Sequence, residues 1–290
     1  MRLMSLKEFN EKYLSLGEDA LSAIDELETL TQKPVIFKLV TSQEGVGHFK
    51  LKVKLARSFM DSHIVIINVD MIKNKEELNY WIIHEMMHGF RVFEANAQDR
   101  KILTSNNFRQ YELINEFART FNRDLVNSIG EEIFKEYCKN LMFNTSMVLF
   151  NSSVDARIEL GIYNKYPNTR GLQKRMQKEY VKEIIAVFGD KRAQESIPEW
   201  ILRRVNLMNY CYLLKITPII GKAWTSKVNG FIDDEFKDTV NKMMVYMDKE
   251  DAGQLIDNET IKAWSEILDM KDYVNMVDFE NVPLDYASSN

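Results

Sequence analysis

Between Lys75 and Glu94 the apolar residues Leu78, Trp81, Ile82, Ile83, Met86, Met87 and Phe90 recur at helical spacing and wrap most of the circumference. A helix apolar on nearly every side has no face to turn to water, so the rest of the fold has to enclose it. The polar exceptions inside it are His84, Glu85 and His88. Unpaired polar groups are costly to bury, so these three require partners or a function. The 290 residues hold only four histidines, His48, His63, His84 and His88, and two of them share one pentapeptide. Chance would place His-Glu-x-x-His in roughly 0.004 chains of this kind.

Residues four apart share a helix face, so the imidazoles of His84 and His88 converge on one point. A zinc ion about 2 Å from each nitrogen fits there, with Glu85 beside it as general base toward water. A catalytic zinc needs a third protein ligand. No histidine follows His88, so a downstream carboxylate is expected, and two segments compete. In Asn151-Ser152-Ser153-Val154-Asp155-Ala156-Arg157-Ile158-Glu159, the residues Asn151, Asp155 and Glu159 lie on one face between apolar Val154 and Ile158. Asp155 is the first choice and Glu159 the second; Glu159 is alternatively an acceptor that fixes the tautomer of a ligand histidine. Arg157, on another face, reads as a surface or packing residue. The other segment is Ile114 to Thr120, where Glu116 would be the ligand. His48 and His63 sit at strand starts and read as surface residues.

Around this helix the pattern predicts an α+β protein that is mostly helical. Ser5 and Glu8 form a capping box for one or two helices over 5–31. Val35–Val40 reads as a strand. Phe49, Leu51, Val53 and Leu55 alternate with Lys50, Lys52 and Lys54, a second, half-exposed strand with a solvated lysine face. The turn at Gly45-Val46-Gly47 joins these two as an antiparallel hairpin, and 63–69 makes a third strand. Helical patterns cover 107–128, 130–143, 144–164, 171–188, 197–215, 230–248 and 258–270, and the tail from about 281 reads as frayed. The expected division is an α+β unit over 1–100 carrying the buried helix, and a helical unit over 101–290 supplying the third ligand.

The order of helix, strands and HExxH helix resembles the zincin metallopeptidases, and a carboxylate third ligand makes it similar to their gluzincin branch. The stretch from Asn151 to Glu159, followed by Tyr166-Pro167, resembles the N-x-x-E-D-x-R-I-E segment of predicted metallopeptidases found in bacteriophages and beside von Willebrand A-type proteins. Asp155, Arg157, Ile158 and Glu159 match it, while Val154 stands at its first acid. Asn115-Glu116 resembles the thermolysin-type N-E-x-x-x-D helix, with Thr120 in place of the Asp. The likeness spans roughly 35–170. It implies a zinc-dependent hydrolase of peptides or proteins, with an oxyanion donor for which Tyr111, Tyr163, Tyr166, Tyr210 and Tyr212 are candidates. It also implies a strand near the active helix, here 63–69, that holds extended substrate. The alternative is a non-catalytic interaction protein in which the metal only ties helices together; an intact Glu85 favours hydrolysis.

Composition narrows the partners. Lys plus Arg is 38 against 43 for Asp plus Glu, a net charge of -5, so no basic excess points to nucleic acid or an anionic membrane. No run of about 18 apolar residues predicts a membrane span, and residues 1–10 lack the apolar core of a secretory signal. Cys138 and Cys211 form no CxxC pair, which excludes a disulfide framework or cysteine zinc site and suits a reducing, cytoplasmic setting.

Overall fold

The computed structural model describes residues 3–41, 51–120 and 127–281. The N-terminal part is a four-stranded mixed sheet built from β1 (Met4–Ser5), β2 (Val35–Val40), β3 (Leu51–Lys54) and β4 (His63–Asn68), in the order β1-β2-β4-β3. Helices α1 (Leu6–Lys12), α2 (Glu18–Thr31) and α3 (Lys75–Glu94) accompany it. The expected capping box opens α1: the Ser5 hydroxyl accepts from the Glu8 amide, and Glu8 accepts from the Ser5 amide.

The expected hairpin does not form. β4 lies between β2 and β3, parallel to β2 and antiparallel to β3. The reason is chemical: β4 is the most uniformly apolar of the three, and a strand buried on both faces belongs inside a sheet. The predicted turn at 45–47, together with His48 and Lys50, lies outside the described residues. Lys52, expected on a solvated face, is buried, and Lys54 is half-buried. His63, expected at the surface, has no exposed area. Its Nδ1 accepts from the Ala56 amide at 3.0 Å, so Nε2 carries the proton and donates to Thr31 Oγ1 at 2.9 Å. Burial, helped by the Lys33 charge, drops its pKa to about 4.

Beyond residue 100 the fold is mostly helical: α4 (Asn107–Thr120), α5 (Glu131–Lys165), α6 (Arg170–Phe188), α7 (Glu199–Lys215), α8 (Asp234–Met247) and α9 (Gln254–Ile267), with shorter helices between. The two segments expected at 130–143 and 144–164 are one helix. The polar run Asn144-Thr145-Ser146 does not break it, because Thr145 returns its hydroxyl to the Leu141 carbonyl within the helix. A two-stranded antiparallel pair, β5 (Lys101–Ser105) and β6 (Val274–Asp278), was not foreseen; it joins the exit of α3 to the C-terminal part of the chain.

The apolar cluster under the sheet contains Phe37, Val65, Ile67, Ile82, Ile83 and Met86, and it also takes in Ile158, Ile162 and Tyr166 from α5 and its exit. Higher on α5, Leu149, Phe150 and Ala156 belong to the core of the helical part, around Trp264, Cys211 and Met243. One long helix therefore contributes to both cores. Its approach to α3 is close: a Cβ on Gly161 would stand 2.8 Å from Met87 Cε. This crossing brings the side chains of α3 and α5 together. Cys138 and Cys211 are buried free thiols.

Candidate metal centre

Tyr80, His84 and His88 follow one another at four-residue spacing on α3, so their side chains rise in a single column toward α5. Opposite them α5 presents Asp155 and Glu159, one turn apart. The donor atoms of His84, His88 and Asp155 all lie within 4.8 Å of one another, a group that could hold a metal ion. Asp155 Oδ1 is 3.3 Å from His88 Nε2 and 3.9 Å from His84 Nε2. Ligands about 2.1 Å from a tetrahedral zinc stand roughly 3.4 Å from each other, so the two Asp155 spacings are within about 0.5 Å of what such an ion requires. Asp155 Oδ1 is itself buried and takes part in no hydrogen bond. A buried carboxylate oxygen facing two imidazole nitrogens without a hydrogen-bond donor is what a cation would satisfy.

Glu159 stands outside this group, one step behind it. Its Oε1 accepts from His84 Nδ1 at 3.0 Å and from the Tyr80 hydroxyl at 2.6 Å, while Gln173 Nε2 donates to Oε2 at 2.7 Å. This is the tautomer-fixing position weighed for it from the sequence: with Nδ1–H donated to Glu159, Nε2 of His84 is the nitrogen that faces Asp155. Burial alone would lower the pKa of His84, but the Glu159 hydrogen bond and the charges of Asp155, Glu159 and Glu85 outweigh it and raise it to about 9. Glu116 on α4 is not in the group.

Glu85 points into the cavity that holds the centre. Its pKa is raised by burial, an effect the charges of His88 and His84 and the Val53 amide hydrogen bond partly offset. The cavity measures about 460 Å³. Leu51, Lys52 and Val53 of β3 line one side, Trp81, His84, Glu85 and His88 of α3 another, and Asn151, Val154 and Asp155 of α5 the next. Lys101 and Ile102 of β5, Gln254, Asp257 and Asn258 of α9, and Phe279 complete it. The strand expected to hold substrate, 63–69, has no free edge to offer, because β4 is paired on both sides, with β2 and with β3. β3 is the outer strand of the sheet and lines the cavity. Among the described residues no tyrosine lines it, so none of the five candidate oxyanion donors is placed there.

One turn past His88, Arg91 donates to Asp257 (Nε to Oδ2, 2.5 Å) and makes a two-pronged contact with Asp251 at 2.8 and 2.9 Å. Arg157 of α5, buried rather than at the surface, donates to Asp257 Oδ1 at 3.4 Å, to Thr260 at 3.0 Å and to the Tyr246 carbonyl at 2.8 Å. Neither Arg91 nor Asp257 was marked from the sequence. Tyr80 could have been, since it continues the His84–His88 column by one turn; Gln173 and Gln177 carry no comparable signal.

No family model, no curated protein and no solved structure matches this chain. Among the described residues no helix is long and apolar enough to cross a membrane.

Proposed function

We propose that the protein is a zinc-dependent peptidase in which His84, His88 and Asp155 hold the metal and Glu85 acts as general base. The observation that carries this reading is the convergence of those three donors in a cavity that Glu85 also lines. Nitrogen and carboxylate ligands in a set of three, with room for water, suit a catalytic rather than a closed structural zinc. When bound, zinc supplies a Lewis acid that polarises a carbonyl and makes water acidic enough to attack at neutral pH.

The residues around it do the rest. Glu85, held by the Val53 amide, accepts the proton of the attacking water and returns it to the departing amine. β3, the outer strand of the sheet among the described residues, lines the cavity, and an extended peptide would lie alongside it as far as the Val53–Glu85 contact. Leu51, Trp81, Val154 and Phe279 supply apolar walls against which substrate side chains would pack.

Metal content of the purified chain, followed by peptide cleavage by wild type and Glu85→Gln, tests this reading. Zinc near one equivalent in both, with cleavage reduced about 10²–10⁴-fold in the variant, is expected. Zinc in both with no difference in cleavage would instead make the metal a tie between α3 and α5.

A further inference from the structure

We infer that a buried donor chain starting in the helical half, Tyr212–Gln177–Tyr80, acts through Glu159 to set the zinc affinity of the centre; this rests on the reading of His84 as a zinc ligand. The direction of every bond in the chain follows from its charged end. A carboxylate only accepts, so the single Tyr80 proton goes to Glu159 Oε1, at 2.6 Å. The Tyr80 oxygen is then left as an acceptor toward Gln177, so the amide nitrogen of Gln177 has to face it, at 2.9 Å. That turns Gln177 Oε1 to Tyr212, whose hydroxyl donates to it at 2.5 Å. Gln173 closes the other side, its Nε2 donating both to Glu159 Oε2 and to the Glu159 carbonyl, each at 2.7 Å.

All members are buried: Gln173 and Tyr80 have no exposed area, Glu159 has 1%, Tyr212 3% and Gln177 6%. Without water to share the work, these donors alone hold the Glu159 carboxylate in one orientation, and the His84 ring is oriented with it. Donors aligned head to tail polarise one another, so the outer members act on Glu159 through Tyr80. Tyr80, Gln177 and Tyr212 are positioning residues. They link α7 and α6 to a ligand on α3, so the metal site includes a part of the helical half far beyond Asp155.

The experiment measures the dissociation constant of Zn²⁺ from the full chain, by competition with a chelating dye, beside the melting temperature of the metal-free protein. Glu159→Gln is expected to weaken zinc about 10- to 100-fold and Tyr80→Phe about 10-fold. Gln177→Met and Tyr212→Phe should follow with smaller losses in that order. The deciding measurement is a double-mutant cycle: in a Glu159→Gln background, Tyr80→Phe should cost no further affinity, because its route to the metal is already cut. Unchanged affinity in Tyr80→Phe and Gln177→Met, with only the melting temperature lowered, overturns the inference, as does full additivity in the cycle. Hydrolysis plays no part in this readout. A wild type that binds zinc and cleaves nothing fails the peptidase reading alone, whereas equal zinc affinity in all variants fails the relay alone.

Discussion

Two buried polar networks flank the candidate centre on the same pair of helices, and they are built on different principles. On the side nearer the start of α3, neutral donors from Tyr80 and Gln173, with His84, converge on one carboxyl group, Glu159. On the other side, Arg91 and Arg157 crowd around Asp257, with Asp251 as a second carboxylate for Arg91. The first network contains a metal-ligand candidate and orients it with hydrogen bonds whose direction is fully determined. The second contains none of the three donors; it fastens the C-terminal helix α9 to α3 and α5 and so forms the cavity wall. The first network orients through hydrogen bonds converging on one carboxylate, whereas clamping three helices here uses two guanidinium and two carboxylate groups.

The contrast predicts different consequences of losing one group. Asp257→Asn leaves Arg91 and Arg157 in the interior with only Asp251, bonded to Arg91, as a carboxylate partner. It should lower the stability of the metal-free protein by about 3–5 kcal/mol while zinc affinity stays within a few-fold of wild type. Denaturant titration and dye competition on the same sample check this. If Asp257→Asn weakens zinc as much as Glu159→Gln does, the two networks are not separate in function.

The two buried histidines sharpen the same lesson. His84 lies among carboxylates, which outweigh its burial, and its pKa rises to about 9, whereas burial, with Lys33 nearby, drops His63 to about 4. His63 is neutral in the fold and binds its proton more readily when unfolded, near pH 6.5. The unfolded chain therefore takes up more protons between those values, so stability falls as pH drops from about 6.5 to 4. The loss amounts to about 3 kcal/mol, because a charged imidazole is costly in this buried site beside Lys33. Unfolding free energies of wild type and His63→Gln across pH 4–7 should show a shallower acid slope in the variant; equal slopes would contradict the assignment.

The smallest effect concerns how tightly α3 is gripped on its two sides. A Cβ on Gly89 would meet Leu27 and Leu55 side chains at 3.0–3.2 Å, in the packed core, whereas one on Gly161 meets only the flexible end of Met87. Gly89→Ala should destabilise by about 1–2 kcal/mol. Gly161→Ala should lie within about 1 kcal/mol of wild type, because Met87 can yield and alanine favours the helix. Thermal melts of the two variants rank them; the reverse order would mean that the α3–α5 crossing, not the α2 contact, is the tighter one.

What could be read from the residues alone was whatever depends on short spacing. The bounds of α3, the column formed by His84 and His88, the Ser5 cap and the helical period of the second half are consequences of bonds and side chains within a few residues of each other. Asp155 and Glu159 could be named as a pair for the same reason, but their division of labour could not. Which of two acids one turn apart faces the imidazole nitrogens, and which lies behind them, depends on where α5 crosses α3. That crossing is set by packing at Gly161, Ile158 and Ile162 against residues some 75 positions earlier in the chain. The place of β4 inside the sheet, the burial of His63 and the encounter of Arg91 with Asp257, 166 residues away, were decided at the same level. Alternation and spacing describe a residue's own element, and only the closing of long loops selects its partner.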